Sequence, residues 1–153
     1  MPEFHVEVGH AVTFSKTVSE SDVYLFAGIT GDLSPNHVNR AYMQRSSYRR
    51  RMVHGALLVG FMSTASSLAI EHCRHDKTET PVSVGMDRVR FLKPVFLGDT
   101  VTVHYEIVSV NIERRRSVAD IKVTNQAGTL VAVGSHILQW VPNAEGPSAD
   151  RDA

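Results

Sequence analysis

A single cysteine, Cys73, is the only thiol in the chain. A lone thiol cannot close an internal disulfide, and the paired Cys spacing of zinc sites is missing. Long apolar runs are missing too. The richest zone, residues 55–70, is interrupted by Ser63, Thr64, Ser66 and Ser67, and nothing approaches the ~18 apolar residues that a membrane span requires. Neither sign of charge prevails, because 16 Lys and Arg balance 16 Asp and Glu. No global field therefore favours nucleic acid or an anionic membrane. The opening residues, MPEFHVEVGH, lack the basic-then-apolar pattern of a secretory signal. These absences predict a reduced, cytoplasmic protein with no nucleic-acid or membrane partner.

What is present is ordinary globular material, 42% apolar and 21% charged over 153 residues. That length suits one domain with a core large enough to need neither disulfides nor metals. The expected domain is residues 1–141. Residues 142–153, with almost no apolar content, read as a flexible tail.

Residues 11–18, AVTFSKTV, alternate apolar and polar as a half-buried strand does. Ser19 or Ser21 can cap a short helix that ends at Gly31, with Val23, Leu25, Phe26 and Ile29 expected on one face. The turn-forming segment 31–37, GDLSPNH, reads as an ordered loop, since Pro35 disfavours helical angles at Ser34. Asn39 can cap a short helix reaching Arg45, and a basic loop follows. From His54 to about Glu71 apolar residues recur at helical spacing on most sides, which predicts a helix buried on most sides. Segments 82–91, 100–110, 117–126 and 129–141 alternate and are rich in β-branched residues, with turns at Gly98-Asp99 and Ala127-Gly128. One long helix and an antiparallel sheet wrapped around it is an α+β architecture.

Asp32 and His37 carry the most chemistry. A carboxylate and an imidazole separated by four residues in a rigid loop can converge on one water, which suits addition of water to an α,β-unsaturated thioester. The competing reading is an Asp that bonds turn amides beside a surface His. Gly55, in Val53-His54-Gly55, stands where the long helix begins. Its N–H can meet negative charge on a thioester oxygen, or Gly55 can simply permit a sharp turn. Arg45, Arg49, Arg50 and Arg51 can hold phosphates of coenzyme A or of a phosphopantetheine carrier, or form a solvated loop. Arg114, Arg115 and Arg116 carry the same ambiguity. Ser63, two turns past Gly55, can face a substrate or bond its own backbone. His54 reads as a packing or capping residue, and Cys73 has no evident role.

Together these pieces resemble the MaoC-like family of (R)-specific enoyl-CoA hydratases and 3-hydroxyacyl thioester dehydratases. The family's loop, a small residue and then Gly-Asp-x-Asn-Pro-x-His, is approached by Thr30-Gly31-Asp32-Leu33-Ser34-Pro35-Asn36-His37. Val53-His54-Gly55 follows at the family's distance, and residues 90–100, RFLKPVFLGDT, look like its strand signature. The likeness covers about residues 8–141. It implies a hot-dog fold that dimerises, with some scope for higher assembly. It also implies that Asp32 and His37 hold the reacting water, that the Gly55 amide binds the thioester carbonyl, and that Ser63 faces the site. No metal or separate cofactor is implied; coenzyme A arrives within the acyl-CoA or acyl-carrier substrate. Two departures are Ser34, where the family has Asn, and Asn36, where it has an aliphatic residue; both are candidate substrate contacts. Beside a hydratase, two readings stay open: a dehydratase for a branched or dicarboxylic acyl-CoA, and a non-catalytic acyl-thioester-binding subunit. A thioesterase fits the loop less well.

Overall fold

The computed structural model describes residues 4–74 and 78–144. Strand β1 (Ala11–Thr17) leads into helix α1 (Glu20–Thr30), then into two short helices, α2 (Pro35–Val38) and α3 (Arg40–Gln44). The long helix α4 (Gly55–Ala69) ends in a single 3₁₀ turn, Glu71–Cys73. Strands β2 (Glu79–Phe91), β3 (Thr100–Asn111), β4 (Arg116–Asn125) and β5 (Leu130–Pro142) complete the chain. The strands form one antiparallel sheet in the order β1-β3-β4-β5-β2. The α+β reading holds. Most of the predicted tail, from residue 145 on, lies outside the described residues.

Helix α4 packs on one face of this sheet, against β1 and β3. Its buried side chains, Leu58, Phe61, Met62, Ala65, Ser66 and Ala69, recur at three- and four-residue steps. They meet the inward row Val101, Val103, Tyr105 and Ile107 of β3, each at most 1% exposed. Burial on most sides is not what the single chain shows: Ala56, Gly60 and Ser63 form an exposed stripe on the opposite side of the helix. The sheet covers only one face of a cylinder, so the expectation overcounted its reach.

Helix α1 also differs from expectation. Ser19 caps it reciprocally with Asp22: Asp22 N–H donates to Ser19 Oγ at 3.2 Å and Ser19 N–H to the Asp22 carboxylate at 2.8 Å. Val23 and Ala27 are buried, but Leu25 and Ile29 are exposed. At about 100° per residue, positions 23 and 25 point to nearly opposite sides, so the four apolar residues cannot share one face. Gly31 ends the helix at φ 79°, a left-handed angle that glycine takes at no steric cost. Pro35, read as part of a loop, instead opens α2. At the first helical position its missing N–H costs nothing. Strand β2 begins at Glu79, includes Pro81, and carries two bulges, as a sheet edge allows.

Candidate active site

Two backbone bonds fix the approach to α4, one to the α2 turn and one to the segment between β2 and β3. Met52 N–H donates to the Asn36 carbonyl at 2.9 Å, and Val53 N–H donates to the Val95 carbonyl at 2.8 Å. His37 then closes on the same segment through a 2.7 Å bond from Nδ1 to the Met52 carbonyl. A carbonyl oxygen can only accept, so Nδ1 carries the proton and Nε2 of the neutral ring presents its lone pair. That lone pair faces Asp32 Oδ2 at 4.0 Å. The separation is too long for a direct hydrogen bond, and short enough for one water oxygen to reach both atoms. His37 is buried, whereas the Asp32 side chain is 51% exposed. Asp32 is held by Ser34 N–H, which donates to Oδ1 at 3.3 Å, and its own N–H donates to Thr30 Oγ1 at the same distance.

His54, assigned no chemistry from the sequence, belongs to this cluster. It is 1% exposed, its ring stacks on His37 at 3.7 Å, and Nε2–H donates to the Asp32 carbonyl at 3.0 Å. Phe26 packs against its ring at 4.7 Å. The sequence marks it only as the middle of Val53-His54-Gly55 and as a packing or capping residue, because its partners are a backbone carbonyl and ring faces. The ligand atoms of Asp32, His37 and His54 lie within 4.8 Å of one another. Nevertheless, stacked rings tilted by only 23° direct their in-plane lone pairs side by side, not toward one point. Each ring also already gives its N–H to a carbonyl, an arrangement suited to moving protons.

Beside His37 opens a cavity of about 330 Å³, whose lining includes Asn36, Met52, Gly55, Leu58, Phe91 and Lys93. Gly55 opens α4, so its N–H has no acceptor within the helix. A Cβ there would come within 2.5 Å of the exposed Phe91 ring, so a larger residue would have to push that ring aside. Asn36 shares the lining, and Ser34 Oγ–H donates to its Oδ1. The geometry thus brings together Asp32, His37, Gly55, Ser34 and Asn36.

The remaining candidates lie apart. Ser63 is exposed on the outer stripe of α4 and does not line this cavity. Arg51 is bound to Glu20 and to the Tyr24 hydroxyl. That guanidinium, with Tyr24, holds the Glu20 carboxyl below its ordinary range. Arg50 lies over the Phe96 ring at 4.5 Å, and Arg49 is exposed at a left-handed φ of 56°. The cation that lines the cavity is Lys93, which the sequence reading passed over.

Residues 3–129 match the family model described as the MaoC like domain. The chain is 32% identical over 111 residues to an (R)-specific enoyl-CoA hydratase of Rhodospirillum rubrum, covering 72% of each protein. It is 31% identical to a 3-hydroxybutyryl-CoA dehydratase of Methylorubrum extorquens, over 95% of this chain and 90% of that one. In structure it is similar to the (R)-hydratase from A. caviae involved in PHA biosynthesis. That match has a TM-score of 0.77 at 25% identity and covers 88% of this chain and 96% of the other. A five-stranded antiparallel sheet around a central helix, neighbours of this kind and a family match over most of the chain together make it a hot-dog-fold member of the MaoC-like domain family.

Proposed function

We propose that the chain catalyses the reversible hydration of a trans-2-enoyl-CoA to an (R)-3-hydroxyacyl-CoA. The observation that carries this reading is the facing pair itself: an imidazole whose tautomer leaves Nε2 unprotonated, 4.0 Å from a carboxylate oxygen. Hydratases and dehydratases among its relatives support a lyase activity. The (R) outcome and the CoA thioester are carried over from the same relatives.

In the forward direction one water donates to Asp32 Oδ2 and to His37 Nε2. As its oxygen attacks the β-carbon, Nε2 takes a proton and the C=C electron pair moves onto the thioester oxygen. The Gly55 N–H, at the positive end of α4, stabilises that oxyanion. The electron pair then returns to the α-carbon, which takes the proton from Nε2. Both side chains end the cycle as they began, so the same site runs dehydration in reverse. The acyl thioester lies along the cavity past Gly55 and Phe91, and Lys93, with the exposed Arg49 and Arg50, offers cations for coenzyme A phosphates. No metal or additional cofactor enters this scheme. The active form in the proposal is a homodimer, in which a second copy covers the β2 edge and the exposed stripe of α4.

The test is turnover of crotonyl-CoA by purified protein and two variants, read as loss of the conjugated enoyl absorbance. Asp32→Asn and His37→Ala should each lower kcat/KM by at least about a hundredfold, with the circular dichroism spectrum unchanged. Near-normal turnover in either folded variant would remove its assigned role.

A further inference from the structure

Asn36 occupies a position that the reaction scheme above leaves unused. Its Nδ2 lies 3.4 Å from His37 Nε2, and its side chain lines the cavity. The orientation of the carboxamide is set from the other end. Ser34 Oγ–H donates to Asn36 Oδ1, which turns the NH₂ group toward the imidazole. Nε2 has a single lone pair, so once a water donates to it the facing NH₂ group is left to donate to that water's oxygen. Both the Asp32 carboxylate, at 4.0 Å, and the Asn36 NH₂ group, at 3.4 Å, are neighbours of His37 Nε2, so a water bound at that lone pair has an acceptor and a donor beside it.

A water molecule has two hydrogens and two lone pairs. In a hydration, the two hydrogens go to acceptors and one lone pair attacks carbon. The fourth direction stays open unless a donor meets it. Asp32 and His37 are both acceptors, so neither can fill it.

We infer that Asn36 is the donor to the reacting oxygen and that Ser34 is the residue that positions it. The inference rests on the hydratase reading. In hydration the Asn36 N–H holds the fourth direction of the water, so its remaining lone pair points at the β-carbon. In dehydration the same N–H stays on the departing hydroxyl oxygen. No bond to Asn36 forms or breaks in either direction. Ser34 acts only through the carboxamide: without its hydroxyl the amide can rotate, and a carbonyl facing the Nε2 lone pair is repelled.

The experiment is a double-mutant cycle on Ser34 and Asn36 with crotonyl-CoA, alongside ¹⁵N NMR of the His37 ring. Asn36→Val should lower kcat by about tenfold with KM within about twofold, the scale of one neutral hydrogen bond made to the reacting atom. Ser34→Ala should lower kcat in the same direction, and Ser34→Thr should restore most of that loss. The Ser34→Ala/Asn36→Val double variant should match Asn36→Val alone, because Ser34 has nothing left to orient. An unchanged kcat in Asn36→Val, or a full further loss in the double variant, overturns the assignment. The NMR arm needs no turnover. The His37 Nε2 resonance should move in Asn36→Val and in Ser34→Ala and return toward its original position in Ser34→Thr. If the wild-type protein does not turn over enoyl thioesters while the resonances behave this way, the hydratase reading fails and the Ser34–Asn36–His37 chain stands. A resonance that ignores all three variants overturns the chain itself.

Discussion

His37 and Asp32 are held in unequal ways, and the inequality suits the roles proposed for them. A base has to keep one lone pair aimed, and the bond to the Met52 carbonyl fixes both the tautomer and the ring plane of His37. The carboxylate of Asp32 is solvated and anchored mostly through backbone groups. His54 supplies part of that anchoring: it stacks on His37 and donates to the Asp32 carbonyl, while its own Nδ1 is buried without a hydrogen-bond partner among the described residues. His54→Phe should keep the stack and lose the donor. We expect kcat to fall by about tenfold with a small change in KM, since one hydrogen bond that fixes the loop is gone. The stability cost should stay within about 1 kcal/mol, because the unpartnered Nδ1 disappears as well. Steady-state kinetics and urea unfolding of the variant check both figures, and an unaltered kcat would reduce His54 to packing.

At the scale of elements, the strands carry a second polar chain that the reaction does not use. Tyr105 on β3 bonds His136 Nδ1 at 2.9 Å, and His136 Nε2 on β5 meets Ser83 Oγ on β2 at 2.8 Å. Burial pushes the His136 imidazole below its ordinary pKa of 6.5 and pushes the Tyr105 phenol up. The unfolded chain therefore binds a proton below pH 6.5 that the folded chain resists, so this group's contribution to stability is complete above that pH. It is lost progressively as pH falls toward the lowered folded value, with a slope of at most about 1.4 kcal/mol per pH unit. His136→Gln should remove that slope: urea unfolding at about pH 7.5 and about pH 5.5 should show a smaller difference for the variant than for the wild type. Equal differences would contradict the assignment. Most of these elements were legible in the sequence, since alternation and β-branching give β1 and β3 through β5, and Ser19, Gly31 and Asn39 mark helix ends by their own chemistry. The register was not legible, nor was the partnership of Ser83 with His136, because pairing across 53 residues leaves no local signal. In the same way the spacing of Asp32, His37 and Gly55 was visible, while His54, Phe91 and Lys93 join the site only through tertiary packing.

The whole molecule is asymmetric in its covering. The sheet buries one side of α4 and leaves Ala56, Gly60 and Ser63 exposed on the other. At the sheet edge, β2 exposes Val82, Val84 and Phe91. In the proposed homodimer these surfaces are shared, and Ser63 lies where a second copy would reach. Light scattering on the eluting peak should give twice the 16.9 kDa chain mass, and a monomer that is fully active would refute the dimeric form. The central claim, reversible water addition to an enoyl thioester, is tested most directly by one progress curve. Crotonyl-CoA is mixed with the protein while enoyl absorbance and free thiol are followed together, and the product is resolved by chirality. Absorbance lost to an equilibrium position, without thiol release and with the (R)-3-hydroxy product, is the predicted result; stoichiometric thiol release, or no loss across a panel of longer and carboxylated enoyl-CoAs, would contradict it.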